Sequence, residues 1–421
     1  MKNINNFKHL KTDNDMELYI CKNTKFKTNL IQVFILNGLD KETVSKNALV
    51  PFILYRGSEN YPDSKNFKIQ LDYLYGAELT VSVWKRGELQ IINFSLEIVN
   101  EKYLPTNEKV FRKGISLLRE LLLSPRFTED YFQQERDFII KEINSIINDK
   151  YTYSLLRCYQ KMCQSEPYGL HKLGLVEDHE KLKREDVYEQ YQEMLSESRI
   201  LLFVIGDINE NEVYDEINSS FIFKHKQDNN INQTLVKSNV TEIKEIEERM
   251  NIQQGKLVMG FRTGLTRNNE LYYPLLMYNG ILGTFPHSKL FQNIREKKSL
   301  AYYVNSNIES TKGLLIIASG IEVNNYAKVK KLILEQLEKI KNGDISEDEF
   351  NWTRTSLLSS FKTMSDSNKG LCSHYLLGLI NNHPESVMES INRLATVKKE
   401  DVVNVANKII LDTIYFLNKK E

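Results

Sequence analysis

Three short patterns occur twice in this chain, in the same order. Asn37-Gly38-Leu39, closing an apolar strand, returns as Thr263-Gly264-Leu265. Thr128-Glu-Asp130, opening a helix, returns as Ser346-Glu-Asp-Glu349. Glu185-Asp-Val187, ahead of a helix and a strand, returns as Glu400-Asp-Val402. The offsets are 226, 218 and 215 residues. Repetition at so steady a distance predicts a duplicated unit, so both halves must satisfy one topology. With 421 residues, there is chain enough for two or three domains.

Within the first copy, residues 16–39 read as two short strands. Residues 78–84 and 89–98 read as a hairpin turning at Gly87. In the latter, Ile92, Phe94, Leu96 and Ile98 alternate with Asn93, Ser95 and Glu97, as in a half-buried antiparallel strand. Tyr61-Pro-Asp-Ser64 opens a helix with a buried stripe of Phe67, Leu71, Leu74 and Tyr75, stopped by Gly76. Residues 107–123 and 128–162 are helical, and 200–205 is a buried strand. Residues 47–55 are short and mostly apolar; Pro51 there suits a first helical turn better than an interior. Hairpins with helices grouped between them predict an α+β fold of two homologous domains, each an antiparallel sheet with helices on one face. Residues 224–246 shift to Lys, Asn, Gln and Glu and form the expected linker, leaving domains at 1–223 and 247–421.

Lys+Arg and Asp+Glu balance at 56 each, which argues against nucleic acid or an anionic membrane as partner. Cys21, Cys158, Cys163 and Cys372 form no CxxC pair and no secreted framework, so reduced thiols are expected. Residues 1–19 lack an apolar signal region, and no apolar run reaches membrane-spanning length. These features predict a cytoplasmic protein.

Residues 288–306 combine an amphipathic helix with a strand. Leu290, Phe291 and Ile294 keep helical spacing, Arg295-Glu-Lys-Lys298 forms a charged end, and 300–304 is apolar and aromatic. Arg295 and Tyr302 can converge where the strand begins. Their guanidinium and phenol suit the carbonyls or carboxylate of a peptide. Taken alone, the stretch also reads as a helix with a solvated end and a strand with half-buried tyrosines.

The stretch resembles the C-terminal-domain signature of the insulinase/pitrilysin family of zinc peptidases, a Ser-x-Leu-Phe…Arg-Glu-Lys…Gly-Leu-Ala-Tyr run. The resemblance implies that Arg295 and Tyr302 contact substrate. Ser299 stands where the family usually has Gly. The duplication, Tyr168-Gly169, Gly174 and Gly206-Asp207 extend the resemblance over essentially the whole chain.

The family's chemistry needs a His-x-x-Glu-His motif on a helix, just before an aromatic-Lys/Arg-Gly-Ser/Thr run. Two imidazoles bind zinc, and the Glu activates water. Here that run is Tyr55-Arg56-Gly57-Ser58, and the motif positions hold Ala48, Pro51 and Phe52. None can bind a metal or act as a base. Glu142, preceded by Glu135-Arg136, matches the family's third ligand helix and is read as vestigial; one carboxylate cannot hold catalytic zinc. His9, His171, His179, His225, His287, His374 and His383 form no replacement motif. His179 is expected to be solvated and His287 to serve helix entry.

No catalytic residue, metal or cofactor is therefore expected in this chain. The resemblance implies a non-peptidase homologue that pairs with a homologous zinc-binding subunit. In such a pair this chain positions the peptide through Arg295 and Tyr302, and zinc resides in the partner. A homodimer is admitted for the isolated chain. The alternative is a structural, assembly or peptide-binding protein with no part in proteolysis.

Overall fold

The computed structural model describes residues 7–225 and 233–420. Residues 226–232 of the expected linker and residues 1–6 lie outside them. Two compact units are built, one from Met1–Asn144, Leu170–Gln233 and Asn368–Cys372, the other from Ser145–Gly169, Thr234–Ser367 and Ser373–Glu421.

The first unit contains β1 (Lys8–Lys11), β2 (Glu17–Lys22), β3 (Thr28–Gly38), β4 (Glu78–Arg86), β5 (Leu89–Val99) and β6 (Arg199–Gly206), in the spatial order β1-β2-β6-β3-β5-β4. The second contains β7 (Lys244–Met250), β8 (Gly255–Arg262), β9 (Ala301–Glu309), β10 (Leu314–Ile321) and β11 (Ile410–Lys419), in the order β7-β11-β8-β10-β9. Aside from β1, the two sheets have one plan. β2–β6 and β7–β11 are parallel. Every other pair is antiparallel, in the same sequence. The duplication read from short echoes is thus a duplication of sheet topology.

Propensity and burial explain most elements. Asp63 caps the helix Ser64–Tyr73 by accepting from Asn66 N at 2.8 Å. Phe67, Leu71 and Leu74 are buried as expected. Tyr75 is not: at φ 61° it has left the helix, and its ring is exposed. β5 is also more enclosed than its alternation suggested. Asn93 and Ser95 are buried, and Gln32 Nε2 donates to Ser95 Oγ at 3.1 Å. A central strand can bury small polar side chains when a neighbouring strand satisfies them.

The expected helical stretch 128–162 breaks at Asp149. Extended there, Asp149 accepts from Tyr151 N at 3.0 Å and caps a new helix. Glu129–Ser145 precedes the break and Lys150–Met162 follows it. The second helix packs Cys158 and Met162 on Val258, Ile316, Ala318 and Leu417. A Cβ on Gly260 would stand 2.7 Å from the Met162 sulfur, so glycine permits this approach. Ser306, on the opposite face, lies against Gly283 and the Asn279 carbonyl. The second sheet therefore carries a helix on the face away from its main helical layer.

That unit also buries charge. Arg262 donates to Glu166 at 2.7 Å and to Asp412 at 2.9 Å, and Lys312 lies 2.7 Å from Glu166. Burial raises the Glu166 pKa, but Arg262 and Lys312 hold it below the usual carboxylate value.

Candidate functional site

The expected metal-motif segment is the helix Val44–Leu54. Ala48, Leu49, Val50, Ile53 and Leu54 are almost wholly buried, and Phe52 is half-buried against the same core. Pro51 sits in the interior of this helix rather than in its first turn. It has no N–H for the preceding turn, a loss of about 3 kcal/mol in an isolated helix. Burial of an apolar face on both sides of Pro51 offsets that loss. Each large apolar side chain so buried contributes about 1.5–3 kcal/mol.

Zinc does not fit these residues. Ala48 and Phe52 carry no lone pair, and Pro51 supplies no base. Among the described residues, no group of three or more His, Cys, Asp or Glu could hold a metal ion.

The vestigial ligand helix is Glu129–Ser145. Its Glu135 is buried and pairs with Arg56, from the run that follows the motif. Burial pushes the Glu135 carboxyl up, and the guanidinium only partly opposes it. A Cβ on Gly57 would meet the Tyr61 carbonyl at 2.8 Å, so glycine closes the turn beside Arg56. Glu142 is exposed. The two carboxylates therefore occupy different environments.

His179 departs from expectation. It is fully buried, its Nε2 lies 2.6 Å from the Leu173 carbonyl, and burial lowers its pKa. A six-residue loop return, invisible in a polar sequence, encloses it.

The Arg/Tyr stretch keeps its expected form with one local change. Phe291–Glu296 is a π-helical turn, with Lys297 N donating to Gln292 O at 3.0 Å. Such widened turns are often functional. Ser299 ends it at φ 51°, and Leu300 N donates back to Ile294 O at 3.1 Å. This is the left-handed helix end that favours glycine, which explains the glycine of the resembling signature.

Arg295 is exposed and stacks over Phe291, 4.7 Å from the ring centre. Tyr302 is 53% exposed on β9. It sits at a register shift of β9 against β10, unpaired between Ala301 opposite Ile321 and Tyr303 opposite Gly320, while Tyr303 packs on Tyr151.

Sequence reasoning missed the neighbours at the other end of this helix. His287 stacks on Phe285 at 5.3 Å and meets Trp352 edge-on at 5.9 Å. Its Nε2 lies 3.0 Å from Thr353 Oγ1. Pro286-His287 was the one local signal, and Trp352 is 65 residues further along the chain.

A family model described as "Peptidase M16 inactive domain" matches residues 181–357. A "Probable inactive metalloprotease YmfF" of Bacillus subtilis is 38% identical over 409 residues, covering 96% of each chain. The chain belongs to the M16 (insulinase/pitrilysin) metallopeptidase family. Another B. subtilis protein, an "Uncharacterized zinc protease YmxG", is 25% identical over 71% of this chain and 73% of its own. A solved structure, of a conserved protein from Enterococcus faecalis V583, superposes with a TM-score of 0.91 at 29% identity, covering 99% of both chains. Within M16 this chain is a non-peptidase homologue, and its motif helix shows the physical reason. Among the described residues, no helix is long and apolar enough to cross a membrane.

Proposed function

We propose that this chain is the non-catalytic subunit of a heterodimeric M16 peptidase. It positions peptide through Arg295 and Tyr302 for a homologous subunit that carries zinc. The observation that carries this reading is an asymmetry of exposure. The motif positions carry no metal ligand and pack on the core, while Tyr302 and Arg295, the latter 3.8 Å from Glu296, face solvent. Metal chemistry vanishes with its ligands, but substrate orientation can be supplied from another chain.

In this reading residues 1–223 form the half with the degenerate motif, and 247–421 form the half with the peptide contact. Four buried free thiols suit a reducing cytoplasm.

The test is peptide cleavage by this chain, by a His-x-x-Glu-His homologue from the same source, and by their mixture. Activity should appear, or rise strongly, in the mixture. Arg295→Ala and Tyr302→Phe should each lower turnover about tenfold or more with assembly intact. Equal cleavage with and without this chain rejects the proposal.

A further inference from the structure

Two aromatic side chains stand well exposed among the described residues of the second unit, Tyr302 and Trp352. They flank one helix. Tyr302 follows its end through Ser299, and Trp352 reaches its start through the ring of His287. Thr353 fastens His287, and Lys289 meets Glu349 at 2.9 Å, so the start of Glu347–Met364 is pinned to this helix entry.

At the helix start Gln292 Nε2 donates to the Pro286 carbonyl at 2.8 Å, next to His287. At its end Arg295 lies over the Phe291 ring. The charged end is cationic on balance, with Arg295, Lys297 and Lys298 against Glu296, all exposed.

We propose that Phe285, His287 and Trp352 form an aromatic platform for an apolar side chain of an extended peptide whose acidic residue or carboxylate is held at Arg295. This inference rests on the peptide-positioning reading and specifies its register. Eight residues separate His287 from Arg295, at most about 12 Å along the helix, which equals about three to four residues of extended chain. The bound peptide therefore carries its apolar residue about three to four positions from the group held by Arg295.

The ring chemistry suits this occupant. His287 is stacked on Phe285, and burial lowers its pKa, so a neutral ring backs the Trp352 edge near neutral pH. Trp352 is 54% exposed beside its edge-on contact with His287, so part of the indole is available to a further ring.

The test uses Ala/Ser peptides carrying one Asp and one Phe, with the spacing between them varied. Trp84 and Trp352 are the two tryptophans, so Trp84→Phe makes Trp352 the reporter. Affinity, from the anisotropy of labelled peptide, should peak at a spacing of about three to four, with a blue shift of Trp352 emission. Trp352→Ala should weaken the best peptide about two- to tenfold, and Trp352→Phe should retain most of the affinity. Arg295→Ala should abolish the spacing preference. Affinity independent of Phe position, unchanged by Trp352→Ala, or absent at every spacing overturns the platform. If Arg295→Ala still lowers turnover of the mixed subunits in that case, the positioning role survives and the platform alone fails. If neither residue affects binding or turnover, both proposals fall.

Discussion

The two units share a sheet order but use their interiors in opposite ways. In the first, the helix after the third strand is mostly apolar, and the positions that would bind metal pack on the core. In the second, Arg262, Lys312, Glu166 and Asp412 are buried together, while Arg295 and Tyr302 remain outside. One topology thus supports either an oily seal or a buried ionic knot. Topology therefore does not decide chemistry; the side chains at a few equivalent places do.

The largest expected effect breaks the ionic knot. Glu166→Ala removes the carboxylate that two buried cations share, leaving Asp412 alone to face Arg262, and should cost about 3–5 kcal/mol in urea unfolding. A loss below about 1 kcal/mol would show that water reaches the cluster.

Acid should also weaken the second unit. His374 is buried beside Arg267 and 3.2 Å from Ser390 Oγ, with Glu385 bonded to the same hydroxyl at 3.1 Å. Burial, and then the Arg267 charge, lower its pKa to about 3. The unfolded chain takes up this proton near pH 6.5 and the folded chain does not, so stability is full above pH 6.5 and falls as pH drops toward 3. Between pH 7.5 and 4.5 the loss should be about 2–3 kcal/mol. His374→Gln should flatten that part of the pH–stability curve.

The oily seal can be tested in both directions. Ala48→His overfills a fully buried site and should destabilise by about 1–3 kcal/mol. Pro51→Ala restores a helical N–H and should stabilise by about 1 kcal/mol or more. The triple change Ala48→His, Pro51→Glu, Phe52→His should still lack stoichiometric zinc by metal analysis. Tight zinc binding would mean that the seal opens easily.

The smallest effect concerns the exposed end. Ser299→Gly should stabilise by about 1 kcal/mol, because Ser299 holds φ 51°. Thermal unfolding checks it, and peptide affinity should hardly change.

Much of this molecule was legible in one dimension. The echoes announced the duplication because caps and turn residues act locally, within a few positions. The Ser346 capping box formed as read, with Glu349 N donating to Ser346 Oγ at 3.1 Å. The absence of metal donors at Ala48, Pro51 and Phe52 was equally plain, since side-chain chemistry needs no fold to be known.

Tertiary structure decided what depends on distant partners. It placed Pro51 inside a helix, because burial on both sides outweighs one lost hydrogen bond. It enclosed His179 and paired Glu135 with Arg56, 79 residues apart. It set Lys150–Met162 on the second sheet, and it brought Trp352 to His287. The sequence by itself determined which groups this protein has and which it lacks. Only packing, through contacts remote along the chain, decided which of them water can reach.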